Sequence, residues 1–139
     1  MIQLRYTLPF PPSSNRYWRT TRNGIMYVSA EAKDYQHEVR AIVGDDRPEL
    51  SGELRLEVEL FAPDRRRWDV SNRVKILEDA LQHCGVLADD RFVDDLRARR
   101  HPPQKPGRAE VCITQLRTPQ QVLFEAEQAK PKRRRKAVA

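Results

Sequence analysis

Cysteine and histidine are too few and too scattered to build a soft-metal site. Cys84 and Cys112 stand alone, and His37, His83 and His101 show none of the short spacings that zinc sites use. The cysteines form no close pair, so free thiols in a reducing cytoplasm are expected, with Cys84 in the core. No run of eighteen apolar residues is present, and a membrane-spanning helix is not expected. MIQLRYTLPF has no basic region followed by an apolar core, so a secretory leader is not expected either. Lysine is scarce ahead of residue 130 while arginine is common, a bias toward bidentate phosphate contacts.

The net charge of +6 is equally uneven. KPKRRRK, at 130–136, holds six basic residues and no acid, and the remainder has as many acids as bases. A formally neutral body cannot hold DNA by bulk charge, so it must segregate its charges. Arginines do cluster, at 16–22, 65–67 and 97–100, and acids are expected on other faces. The basic tail reads as disordered.

The 139 residues suit one domain that buries roughly two-thirds of its unfolded surface. Ile2, Leu4, Tyr6 and Leu8 alternate with polar residues, which predicts a strand ended by the prolines at 9–12. YWRTTR and IMYVS flank Asn23-Gly24, which predicts a hairpin with a type I′ turn. Its arginines, with Tyr17 and Trp18, form either a basic-aromatic ribbon for phosphates and unstacked bases or a core with a solvated edge. The residues leave both open. Ser29 caps a predicted helix over 30–44, with Ala32, Tyr35, Val39 and Ile42 on one face. LRLEVELFA predicts a half-buried strand, 91–100 and 109–116 two more, and QQVLFEAEQAK a short helix. The order strand, hairpin, helix, strand, helix, strand, strand predicts an α+β fold with a small mixed sheet, a β-hairpin and two main helices.

Chemistry concentrates in residues 64–90, DRRRWDVSNRVKILEDALQHCGVLADD. A helix from about Val70 to Cys84 puts Val70, Val74, Leu77, Leu81 and Cys84 at core spacing. Ser71, Lys75, Glu78 and Gln82 share the opposite side. Asp69 precedes this helix, and Asp89 and Asp90 follow its stop at Gly85. Carboxylates converging near a lysine and an arginine run suit magnesium-assisted phosphodiester cleavage. The plainer alternative makes Asp69 a helix cap, Asp89-Asp90 an acidic turn, and Lys75 a partner of Asp79. A restriction-type nuclease fits poorly, because Arg73 stands where an acid should precede Lys75.

This stretch resembles the core of the RusA family of Holliday-junction resolvases, and so does LPFPPSSNRYWRTTRNGIMYVSAEAKDY in the matching order and distance. Together they span most of residues 3–100. The family pattern of an acid, one position, Asp-Asn, a lysine and a later aspartate falls on Asp69, Ser71-Asn72, Lys75 and Asp90. Ser71 departs from it, standing where the family has its second aspartate.

The resemblance implies a RusA-like homodimer, one nuclease domain over 1–118 with a C-terminal extension over 119–139, and a cytoplasmic enzyme that acts on branched DNA by paired symmetric cuts. It implies Asp69, Lys75 and Asp90 as catalytic residues. Mg2+ is the expected cofactor, with Mn2+ an expected substitute, held by Asp69 and Asp90 with Asp89 and Ser71 as helpers. Expected DNA contacts are Arg65, Arg66, Arg67, Arg16, Arg19, Asn15 and Asn72. Ser71 also motivates the alternative of a catalytically silent junction-binding protein.

Overall fold

Leu54, Leu56, Val58 and Leu60 alternate with charged residues along β4 (Glu53–Phe61), and all four are fully buried. That alternation gives the sheet one apolar face and one charged face. A computed structural model describes residues 2–13 and 18–131. Its main sheet has four strands in the order β1 (Gln3–Leu8), β6 (Arg108–Arg117), β4, β5 (Val93–His101). β1 and β4 run antiparallel to β6, whereas β4 and β5 are parallel. A parallel neighbour requires a crossover, and α2 (Val70–His83) provides it between β4 and β5.

The apolar face is covered by α1 (Ala30–Val43) and α2, which share one core with β4 and β6. Ser29 caps α1 through its hydroxyl, as expected. The buried stripe is Ala32, Tyr35, Val39 and Val43, while Ile42 is exposed. The helix thus turns its final contact one position beyond the predicted one. On α2, Ile76 and Ala80 join the expected Val74, Leu77 and Leu81, because this helix is buried over a broad arc. A third helix, α3 (Pro119–Ala129), opens with a capping box between Thr118 and Gln121 and leaves Leu123 and Phe124 exposed.

Two further expectations are corrected. The hairpin pairs β2 (Trp18–Thr20) with β3 (Met26–Val28), but its turn is not type I′. Gly24 alone has positive φ, Asn23 does not, and the Gly24 amide donates to the Thr21 carbonyl at 3.0 Å. This is a longer connection closed by a single left-handed glycine. Arg97 of the β5 cluster is also not segregated from acids. Arg97 pairs with Asp95 at 3.2 Å and with Glu57 at 3.7 Å on the open sheet face, and Arg55 pairs with Asp95 at 2.8 Å. Arg97 is therefore locally neutralised.

Candidate active site

Both ends of α2 are fixed by specific contacts. Before its first turn, the Trp68 ring meets Phe10 edge-on at 5.2 Å between centroids. Arg100, from β5, lies 4.4 Å from the Trp68 ring centroid and donates to the Trp68 carbonyl at 2.7 Å. Arg73 stands 5.1 Å from the Phe10 ring centroid and donates to the Pro11 carbonyl at 2.8 Å. These contacts tie Phe10 and Pro11, which follow β1, to α2 and β5 around the segment that ends at Asp69.

Asp69 is the N-cap of α2. Its Oδ1 accepts from the Ser71 amide at 3.2 Å and from the Ser71 hydroxyl at 2.9 Å. A carboxylate here also meets the positive end of the helix dipole. The capping role is thus real, and it engages Oδ1.

At the other end the helix stops in a Schellman motif. The Val86 amide reaches the Leu81 carbonyl and the Gly85 amide the Gln82 carbonyl, both at 3.0 Å, with Gly85 at φ 81°. Arg47 donates to the carbonyls of Gly85 and Cys84. The chain then turns back toward α2, and the Asp90 amide donates to the Gln82 side chain at 3.3 Å. Asp89 accepts from the Arg91 amide at 2.9 Å and pairs with the Arg91 guanidinium at 3.7 Å. The amide contact, more than any other, lowers the Asp89 pKa.

Asp69, Ser71, Val74, Lys75, Glu78 and Leu96 all line one groove of about 480 Å³ between α2 and β5. Asp89 and Asp90 are not among its lining residues. Lys75 pairs with Asp79 at 3.6 Å, and more than half of its side chain is exposed. Glu78 is half-buried. Burial first, and then the charge of Asp90, raises its pKa, with Lys75 acting in the opposite direction. The structure therefore brings Asp69, Ser71 and Lys75 to one groove, and brings Asp90 into electrostatic range of its Glu78 edge.

Lys75 also lines a second hollow of about 570 Å³, with Trp18, Gln36, Ile76, Gln82 and His83. Trp18 is 56% exposed, so it belongs to a ribbon surface rather than to the core. Arg19 is exposed on the same hairpin, and Arg65, Arg66 and Arg67 are exposed beyond β4. Arg66 pairs with Asp64 at 2.8 Å, which lowers the Asp64 pKa. Asn72 is half-buried in the first turn of α2. Asn15, Arg16 and most of the basic tail lie outside the described residues.

Every side chain the groove offers to a cation donates oxygen: Asp69, Ser71 and Glu78. A donor set without sulfur or imidazole fits a hard ion such as Mg2+. Among the described residues, no three Asp, Glu, His or Cys side chains stand close enough to hold one ion together. Sequence reading missed Arg100, Trp68 and Arg73 as supports of Asp69. Trp68 directly precedes the aspartate, and that adjacency was the one available signal.

Among the described residues, no helix is long and apolar enough to cross a membrane. Residues 9–114 match the family model described as Endodeoxyribonuclease RusA. The chain is 40% identical over 112 residues to a crossover junction endodeoxyribonuclease RusA of Escherichia coli strain K12, covering 79% of this chain and 92% of that protein. The namesake of Enterobacteria phage 82 is 39% identical over 112 residues, with the same coverage. That of Enterobacteria phage HK97 is 36% identical over 118 residues, covering 84% of this chain and 98% of the relative. The chain belongs to the RusA family of endodeoxyribonucleases.

Proposed function

We propose that this protein is a Mg2+-dependent, structure-selective endonuclease that resolves four-way DNA junctions in recombination and repair. The observation that carries this reading is the shared groove of Asp69, Ser71 and Lys75, in a chain whose family relatives are named as crossover junction endodeoxyribonucleases. Two related cuts need two sites related by a twofold axis, so the acting species is a homodimer in the cytoplasm. The nuclease domain is residues 1–118, residues 119–139 are a C-terminal extension, and the basic tail at 130–139 adds affinity.

Asp69 and Asp90 would hold the divalent cation, with Asp89 and the Ser71 hydroxyl as helpers. A bound cation would polarise a phosphoryl oxygen and lower the pKa of a water nucleophile. Lys75, exposed on the polar side of α2, stabilises charge that develops on the phosphate. Arg65, Arg66 and Arg67 hold the backbone beside the scissile bond, Asn72 contacts DNA from the first turn of α2, Arg19 contacts it from the hairpin, and Asn15 and Arg16 are further DNA contacts. Mn2+ substitutes for Mg2+, since it binds oxygen sites of this kind.

A second reading rests on Ser71, whose neutral hydroxyl replaces a charge the family pattern carries: a junction-binding protein without cleavage. Cleavage of a four-way junction and a linear duplex, with and without Mg2+, separates the two. Paired symmetric nicks on the junction alone, dependent on Mg2+, support the nuclease. Tight junction binding without nicks in Mg2+ or Mn2+ leaves only the binding protein.

A further inference from the structure

We propose that the hollow of about 570 Å³ between the hairpin, α1 and α2 is a subsite for one unstacked nucleobase, which stacks on Trp18 beside the phosphate that Lys75 meets. This inference rests on the nuclease reading above and adds a contact that tells a junction from a plain duplex.

Three elements build the walls: Trp18 comes from β2, Gln36 from α1, and Lys75, Asp79, Gln82 and His83 from α2. The volume falls within the roughly 300–1,000 Å³ of ordinary ligand sites. Trp18 is 56% exposed, so the hairpin presents a large ring at the hollow without burying it. Among the described residues, the half-buried Gln36 carboxamide has no hydrogen-bond partner. Gln82 uses only its oxygen, which accepts from the Asp90 amide at 3.3 Å. Carboxamides of this kind suit the mixed donors and acceptors along the edge of a base. Lys75 and Asp79 pair at 3.6 Å, so their charges offset each other within the lining. A neutral aromatic ring with a polar edge fits such a lining better than a phosphate, which would face the Asp79 carboxylate.

Lys75 links this hollow to the cleavage groove, because it lines both. A nucleotide whose phosphate meets Lys75 can reach Trp18 with its base only once that base has left its stack. Within a duplex this costs both unpairing and unstacking. At the exchange point of a four-way junction, where the stack is interrupted, the cost is least.

The test is binding of the full chain in EDTA to a linear duplex, a four-way junction, and junctions with one abasic nucleotide at each exchange-point position in turn. The variants are Trp18→Ala and Trp18→Phe, and unfolding curves confirm that each folds. Trp18→Ala should bind the junction roughly five- to a hundredfold more weakly, and the duplex nearly as the parent does. Trp18→Phe, which keeps an aromatic face, should retain most of the junction affinity. One abasic position should weaken junction binding by the parent, and Trp18→Ala should suffer no further loss there. Parental junction binding by Trp18→Ala overturns the inference. So does an equal loss on junction and duplex, or an abasic penalty that Trp18→Ala shares in full. A parent indifferent to every abasic position overturns it whatever the variants do. If the parent cuts junctions in Mg2+ and any of these results is seen, only the subsite falls. If the parent neither prefers nor cuts junctions, the nuclease reading falls and the subsite with it.

Discussion

Arg100→Ala should loosen the segment that delivers Asp69 without touching Asp69 itself. The substitution removes the 2.7 Å hydrogen bond to the Trp68 carbonyl and the guanidinium 4.4 Å from the Trp68 ring centroid. Arg100 is exposed, so the ring contact contributes about 0.5–1 kcal/mol. The hydrogen bond contributes about 1 kcal/mol. Together the loss is roughly 1–2 kcal/mol, a fall in unfolding temperature of roughly 3–8 °C for a chain of this size. The larger effect should be on rate. Asp69 follows the tethered carbonyl by one residue, and a displacement of about 1 Å in a catalytic group can cost up to about a hundredfold. Single-turnover junction cleavage should therefore drop roughly ten- to a hundredfold, while junction binding in EDTA changes little. Arg100→Lys, which keeps the charge but loses the planar stack, should fall between. Parental cleavage together with a parental unfolding temperature would refute the idea that Arg100 positions Asp69. An equal loss of binding and cleavage would make Arg100 a phosphate contact.

Three further outcomes are expected. Lys75→Ala should slow cleavage strongly with a smaller effect on binding, and equal losses in both would demote Lys75 to a phosphate contact. Glu78→Gln should unfold at an equal or higher temperature than the parent at neutral pH without metal. The folded state raises the Glu78 pKa, so ionisation costs stability as pH rises through the ordinary glutamate value. The difference should vanish below that range, and a lower unfolding temperature at neutral pH would contradict it. Deleting residues 130–139 removes six cations, and the salt slope of DNA binding should fall by about 0.9 for each phosphate that the tail had neutralised. Junction preference should persist, and its disappearance would put shape recognition in the tail.

The parts of the fold set by short-range patterns were readable in the sequence. β4 announces itself through Leu54, Leu56, Val58 and Leu60, and α2 through its apolar period, the Asp69 cap and the stop at Gly85. Asp69, Ser71 and Lys75 share a groove because helix geometry alone puts positions 71 and 75 on one face near the cap. What stayed hidden depends on contacts across the chain. Arg97 is neutralised by Glu57 because β4 and β5 lie in parallel register, which no local window contains. Arg100 supports Trp68 across 32 residues of sequence. The charge of Asp90 reaches Glu78 because the return after Gly85 brings the Asp90 backbone to Gln82 on α2. The turn at Asn23-Gly24 misled for a subtler reason. The dipeptide permits a two-residue turn, but the pairing of Thr20 with Met26 leaves five residues to connect, and one left-handed glycine suffices.

The central claim is that Asp69 and Asp90 are carboxylates of a cleavage site and not only a helix cap and a turn residue. Asp69→Asn and Asp90→Asn test it most directly, through single-turnover cutting of a four-way junction in Mg2+ beside junction binding in EDTA. Asparagine preserves the capping oxygen of Asp69, so the fold should survive the change. Each variant should lose cleavage while binding persists or tightens, since a negative charge near the phosphates is removed. Near-parental cutting by either variant would contradict the account for that residue, leaving the cap or the turn as its whole role.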